Sequence, residues 1–138
     1  MFDAQGHLTQ RSVFYDDGSV QSAVYDTTGQ PWSQQNNVYD AHGHLTYRVV
    51  DYDDGSVQSA VYDATGRQPW SQQNAVYDVQ GHLTSTSVDY RDGSVQAAMF
   101  DPENQAPWSQ QNLVYDANGQ LVAQSIIYDD GHVTGWHI

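Results

Sequence analysis

The chain repeats itself every 38 residues, and this period constrains the fold more than any other feature. The triplet Val-Tyr-Asp recurs at this interval, at Val38–Asp40, Val76–Asp78 and Val114–Asp116. Each copy follows an identical hexapeptide, Pro-Trp-Ser-Gln-Gln-Asn, at Pro31–Asn36, Pro69–Asn74 and Pro107–Asn112. Such a period is typical of arrays in which each repeat packs against its neighbours. We therefore divide a single domain, 1–138, into repeats 1–37, 38–75, 76–113 and a partial fourth, 114–138.

The second repeat carries three turn signals in which Asp precedes a Gly, a pattern typical of tight hairpin turns. These signals are Asp40–Gly43, Asp53–Gly55 and Asp63–Gly66. They separate three strand-like segments, His44–Tyr52, Ser56–Tyr62 and a longer run from Gln68 into Tyr77. No segment shows a 3.6-residue apolar period, so we expect almost no helix.

These patterns predict an all-β fold of tandem 38-residue repeats, each made of three short antiparallel strands. The repeats are expected to form a rolled sheet, a barrel-like assembly or a hairpin spiral. Leu45 is out of phase with Val50 and Tyr52, which predicts a β-bulge between them. Because the fourth repeat is partial, a terminal strand edge needs a partner. We expect either closure of the first strand onto the last or a homo-oligomer.

The composition is strongly acidic and poor in aliphatic residues. The formal net charge is −13, with four Arg and no Lys, which argues against nucleic acid as a partner. Leu, Ile, Val and Phe make up 26 of 138 residues, whereas ten Tyr and four Trp favour a half-buried pleated surface. We therefore expect an ordered β-protein with a thin core.

The sequence leaves the compartment open. There is no cysteine to indicate a redox environment. No apolar run reaches membrane length and no signal peptide is recognisable, so we expect no membrane insertion. A secreted or surface protein of which this chain is a part is one alternative.

The turn motifs resemble those of a known repeat family. Tyr39–Leu45, Tyr52–Ser56 and Val61–Arg67 resemble the Tyr-Asp (YD) repeats of rearrangement-hot-spot and teneurin proteins, and Tyr115–Leu121 is a further copy. In that family the repeats form β-hairpins that wrap into a spiralling shell, in some members around a toxin domain. The resemblance implies a structural or protein-interaction scaffold without a small-molecule ligand.

Catalytic motifs are missing from the sequence. There is no Gly-x-Ser-x-Gly elbow, no phosphate-binding glycine loop and no His-Glu-x-x-His, and Glu103 is the single glutamate. We therefore expect no enzyme activity and no cofactor.

Two side-chain groups raise the alternative of a metal site. Asp51, Asp53 and Asp54 resemble calcium ligands, but Arg91 replaces Asp53 in the next repeat, so we interpret these aspartates as turn formers. His42 and His44 occupy one strand face in a single repeat, and we interpret them as surface residues after a turn. The sequence thus predicts no metal site.

The hexapeptide is the sharpest candidate for a binding site. An indole can stack on the C–H face of a sugar while amide groups bind its hydroxyls. The predicted ligand-binding residues are Trp32, Gln34, Asn36, Trp70, Gln72, Asn74, Trp108, Gln110 and Asn112. The alternative is that each Trp is the largest core residue of its repeat and that recent duplication explains the identity.

Two functions follow from these alternatives. The first is a non-enzymatic, lectin-like module that binds a glycan at several equivalent sites. The second is a structural or protein-interaction scaffold resembling a fragment of a YD-repeat shell. Exposure of the three tryptophans is the property that distinguishes them.

Overall fold

The computed structural model describes residues 1–137 and consists of a single antiparallel sheet. Its strands are β1 (Gln10–Phe14), β2 (Val20–Tyr25), β3 (Trp32–Tyr39), β4 (Leu45–Tyr52), β5 (Val57–Tyr62), β6 (Trp70–Tyr77), β7 (Leu83–Tyr90), β8 (Val95–Phe100), β9 (Trp108–Tyr115), β10 (Leu121–Tyr128) and β11 (Val133–His137). Ile138, the last residue of the fourth repeat, lies outside the described residues.

The strands follow one another in chain order across the sheet, and each pairs antiparallel with the next. The predicted all-β fold with three strands per repeat is therefore confirmed, and residues 1–137 contain no helix. It follows that the described chain has no helix of the length and hydropathy needed to cross a membrane. The sheet is open, since β1 pairs only with β2 and β11 only with β10. The expected alternative in which the first strand closes onto the last is not formed.

The predicted turns lie where the sequence places them, and the Tyr-Asp turn between β3 and β4 illustrates their construction. The amide of Gly43 donates to the Asp40 carbonyl at 3.0 Å, and the Asp40 amide donates to the His44 carbonyl at 2.9 Å. Gly43 has a φ of +83°, a conformation that costs a residue with a Cβ roughly 1–2 kcal/mol. The Asp-Gly spacing therefore fixes both the turn and the register of the hairpin.

The predicted bulge in β4 is confirmed at Thr46. Val38 pairs with Tyr47 while Tyr39 pairs with Leu45, so Thr46 is the extra residue. Its hydroxyl donates to the Val38 carbonyl at 3.1 Å, which anchors the bulge. Because of the extra residue, Leu45 lies on the same face of the sheet as Val50.

Equivalent residues of successive repeats lie on opposite faces of the sheet. Residues paired across neighbouring antiparallel strands share a face, and sequence neighbours within a strand do not. Asn36 pairs with Val49, Val49 with Ser59, and Ser59 with Ala75. Asn74 precedes Ala75, so it lies on the face opposite to its equivalent, Asn36. Continuing by the same rule through Thr86 and Ala98, the pairing places Asn112 on the face of Asn36.

The sheet has almost no fully buried core. Val50, at 8% exposure, is the one hydrophobic residue of the described chain that is buried. The accessible surface is 8811 Å², whereas a globular monomer of this mass exposes about 7,200 Å². The excess is what a sheet without a covering layer exposes. Both faces therefore present strand residues to solvent.

Candidate functional site

Two of the three amide side chains of each hexapeptide, the first Gln and the Asn, are hydrogen-bonded to each other. Nε2 of Gln34 donates to Oδ1 of Asn36 at 2.9 Å, and Gln110 donates in the same way to Asn112 at 2.7 Å. The Gln72–Asn74 pair makes the equivalent bond. Residues two apart on a strand share a face. Each hexapeptide therefore presents a coupled amide pair with further donors and acceptors left for a ligand or a neighbour.

The neighbouring strand determines what the Asn side chain of each amide pair contacts. Nδ2 of Asn74 donates to Ser87 Oγ at 3.0 Å, and Nδ2 of Asn112 donates to Ser125 Oγ at 3.1 Å. Val49 stands opposite Asn36, so the Gln34–Asn36 pair faces the methyl groups of a valine instead of a serine hydroxyl. The three amide pairs are equivalent in position but differ in their remaining hydrogen-bonding capacity.

Each amide pair lies beside an aromatic ring of the preceding strand. Tyr25 pairs with Gln34, Tyr62 with Gln72, and Phe100 with Gln110, so ring and amide share a face in every repeat. These rings were missed by the sequence interpretation, which assigned the aromatic role to tryptophan. The available signal was their equivalent position at the end of the second strand in all three repeats.

In each of the first three repeats another tyrosine lies on the same face as the amide pair, and its hydroxyl donates a hydrogen bond to a glutamine side chain. The hydroxyl of Tyr15 donates to Gln21 Oε1 at 3.0 Å, and that of Tyr52 donates to Gln58 Oε1 at 3.1 Å. Tyr90 makes the same bond to Gln96 at 3.2 Å. The ring is thereby held over the sheet, which reduces the conformational entropy that a ligand would have to remove.

These side chains line grooves on alternating faces of the sheet. The first groove, of about 680 Å³, includes Arg11, Tyr15, Gln21, Tyr25, Gln34 and Asn36. The second groove, of about 280 Å³ and on the opposite face, includes Arg48, Tyr52, Gln58, Tyr62, Gln72 and Asn74. The register brings the equivalent third set onto the face of the first groove, namely Thr86, Tyr90, Gln96, Phe100, Gln110 and Asn112. Small-molecule sites usually occupy about 300–1,000 Å³, so the volume of the first groove lies within this range and that of the second lies slightly below it.

The tryptophans lie on the other face from the amide pairs of their own hexapeptides. Trp32 pairs with Tyr52 while Gln34 pairs with Asp51, which leaves Ser33 as an extra residue in the strand. Ser33 Oγ donates to the Asp51 carbonyl at 3.2 Å. The same register shift separates Trp70 from Gln72. The structure therefore brings the predicted Gln and Asn together but does not bring the indole to them.

All three repeat tryptophans are half-buried. Trp32, Trp70 and Trp108 stand opposite Tyr52, Tyr90 and Tyr128 in the register. Each indole therefore lies on the same face of the sheet as a tyrosine of the following repeat. The indoles are thus neither fully buried core residues nor part of the amide grooves.

The turn carboxylates are occupied by the protein's own backbone. Asp40 Oδ1 accepts the amides of His42 and His44, each at 2.9 Å, and the backbone hydrogen bond from His44 is the main reason that the pKa of Asp40 is lowered. The Asp54 carboxylate accepts the hydroxyl and the amide of Ser56, which lower its pKa in the same way. Among residues 1–137 no three His, Asp or Glu side chains are grouped so as to hold a metal ion.

One arginine ties two repeats together. Nη2 of Arg91 lies 2.8 Å from Asp63 Oδ2, and Nε donates to the Gln68 carbonyl at 3.0 Å. The amide of Gln68 and then the Arg91 guanidinium lower the pKa of Asp63 far below its usual range. Arg91 thereby links the loop after β5 to the turn after β7.

Comparison with known proteins yields neither a matching family model nor a matching curated protein. The interpretation of the grooves therefore stands on their geometry.

Proposed function

We propose that this protein is a non-enzymatic, multivalent carbohydrate-binding module whose sites are the amide grooves. The observation that carries the proposal is that in each of three repeats an amide pair lies beside an aromatic ring on the same face as the pair. Aromatic rings provide the apolar surface for sugar C–H groups, and amides provide donors and acceptors for hydroxyls. Several equivalent sites on one chain favour avidity over strong single-site binding.

The second groove is the best place to test this function. A glycan-array screen of the purified protein identifies the ligand, and its affinity is then measured for Tyr62→Ala and Trp70→Phe. Tyr62 adjoins the Gln72–Asn74 amide pair, whereas Trp70 lies on the other face. We expect Tyr62→Ala to weaken binding at this groove roughly tenfold, since an aromatic contact is worth about 0.5–1.5 kcal/mol beyond its area.

The two variants also separate the groove from the tryptophan site predicted from the sequence. If the indole is the stacking surface, Trp70→Phe weakens binding and Tyr62→Ala does not. Thermal unfolding of both variants serves as the control for a loss of fold. Absence of any glycan ligand on the array contradicts the carbohydrate function altogether.

A second candidate function is assembly of a scaffold through the sheet edges, as the resemblance to YD repeats implies. The outer edge of β1 favours it. Ser12 is the equivalent of Ser87 and Ser125, whose hydroxyls accept the Asn of a hexapeptide strand. At the start of this edge the Met1 amino group donates to the Gln10 carbonyl at 3.0 Å, and the Thr9 amide donates to the Met1 carbonyl at 2.9 Å. The rest of the edge, residues 11–14, thus retains the chemistry that holds a hexapeptide strand.

The test for the scaffold is a synthetic peptide with the sequence of residues 106–113, titrated into the protein with a fluorescent label. We expect it to bind, a scrambled peptide not to bind, and Ser12→Val to weaken binding by up to about tenfold through loss of one hydrogen bond. Val49 occupies the equivalent position in β4, so the variant suits the sheet. Equal binding of the scrambled peptide contradicts this candidate.

A further inference from the structure

Two of the four arginines lie in the grooves without a carboxylate partner. Arg11 and Arg48 line the first and second grooves at equivalent positions, since Arg11 pairs with Ala23 and Arg48 with Ala60. Within residues 1–137, the Arg91–Asp63 contact is the one ion pair that an arginine makes. The sequence holds 17 acidic residues against four arginines. Two unpaired guanidinium groups in so acidic a chain call for an explanation.

The residues that line these two grooves include no acidic side chain, although beside the second groove the Asp89 carboxylate accepts a hydrogen bond from Asn74 Nδ2 at 3.2 Å. Residues of the first groove are neutral except Arg11, and those of the second are neutral except Arg48. The Arg48 guanidinium is oriented by one contact, from Nη2 to Gln35 Oε1 at 2.9 Å. Its buried Nε–H has no acceptor among the described residues. A guanidinium carries five donors, so most of this group's hydrogen-bonding capacity stays unused.

We propose that the first and second grooves select a sugar that carries a carboxylate, such as a hexuronate unit of an oligosaccharide. A guanidinium binds a planar carboxylate through two parallel hydrogen bonds, while the tyrosines and the amide pair contact the rest of the sugar ring. This inference rests on the proposed carbohydrate function and names the class of sugar for two of its sites.

The third set of residues provides an internal control. Thr86 pairs with Ala98 and stands where Arg11 and Arg48 stand in the earlier repeats. The rest of the set keeps Tyr90, Gln96 and the Gln110–Asn112 amide pair. The third repeat therefore offers the amides and aromatic rings without the positive charge. It should bind the neutral parts of a sugar but gain nothing from a carboxylate.

The experiment is an NMR titration of the ¹⁵N-labelled protein with trigalacturonate and, separately, with its trimethyl ester. The ester keeps the shape of the sugar and removes the charge. The backbone amides of Ala23, Ala60 and Ala98 report on the first groove, the second groove and the third set. The titration is carried out at 0.15 M salt, where the Debye length of about 8 Å screens the repulsion between the ligand and distant carboxylates of the protein. We expect the acid to shift the signals of Ala23 and Ala60 and to bind there at least tenfold more tightly than the ester.

Three variants assign the effect to the guanidinium groups. Arg48→Thr should abolish the preference for the acid at Ala60 and leave it at Ala23, and Arg11→Thr should do the reverse. Thr86→Arg should create the preference at Ala98. Since threonine and arginine both occur naturally at this position of the repeat, the fold has a precedent for each change.

The outcomes separate this inference from the function on which it rests. If acid and ester bind the two grooves equally, the carboxylate preference is wrong although the carbohydrate function stands. If neither binds and the array also yields no ligand, both proposals fail. A preference for the acid that survives Arg48→Thr at Ala60 also overturns the inference.

Discussion

Val50 offers a direct test of whether this sheet is stable as a single layer. It is 8% exposed, whereas the equivalent Val13 on the edge strand is 37% exposed. Replacing valine by alanine removes two carbon atoms, each worth about 0.8 kcal/mol when fully buried. Scaled by burial, the loss of unfolding free energy is about 1.5 kcal/mol for Val50→Ala and about 1.0 kcal/mol for Val13→Ala. The effect of a residue on strand stability depends on how it packs in an edge or a central strand, so the difference between the two variants reports the difference in packing and burial of the two sites.

The assay is urea unfolding followed by circular dichroism, with the slope of the free energy against urea held as a check on two-state behaviour. In thermal unfolding, the Val50→Ala change should lower the midpoint by about 3–6 °C. The measurements are made at several protein concentrations. Equal losses for Val13→Ala and Val50→Ala, with a midpoint that rises with concentration, would refute the single-layer interpretation, because a second copy would then cover the face that carries Val13.

Further predictions concern acid stability, strand dynamics and the link between repeats. Backbone and side-chain hydrogen bonds lower the folded-state pKa of turn aspartates such as Asp40 and Asp54 below the unfolded value of about 3.9. Their contribution to stability is therefore present above about pH 4 and lost as the pH falls through the folded values, which an acid titration followed by circular dichroism checks. Hydrogen exchange should be fastest in β1 and β11, which pair on one side only, and slowest in β4–β8. Arg91→Ala should raise the pKa of Asp63, measured from its carboxyl ¹³C shift, and a pKa that does not change contradicts the assigned ion pair.

Much of the fold follows from the sequence because the decisive signals are local. The turns that begin with Asp set the number of strands, and the phase change between Leu45 and Val50 predicts the bulge that the pairing locates at Thr46. Turn chemistry and the two-residue alternation of a strand are properties of a few neighbouring residues. These elements could therefore be predicted without knowing what lies beside them.

The candidate site was predictable only in part because its geometry depends on long-range register. Gln34 and Asn36 share a face and a hydrogen bond, which follows from the sequence because residues two apart on a strand point to the same side. The bulge at Ser33 is not visible in the sequence, because Trp32 and Gln34 also stand two residues apart. Without the cross-strand pairing, the indole was assigned to the amide pair. The aromatic partner, Tyr25, comes from another strand and needed the pairing to be found.

The odd number of strands in a repeat determines how such a protein can be multivalent. Three antiparallel strands reverse the chain direction from one repeat to the next, so equivalent side chains change face while their order along the sheet is kept. The first groove and the third set share a face and lie six strands apart, which at about 4.8 Å per strand is about 29 Å along the sheet. The second groove lies between them on the opposite face. Under the proposed carbohydrate function, a single oligosaccharide would have to span about 29 Å to occupy two sites on one face, and shorter ligands would bind each site separately. If the ligands are displayed on two different surfaces, sites on opposite faces of the sheet would cross-link those surfaces. An array of two-stranded or four-stranded repeats could not do so, because all its sites would share one face.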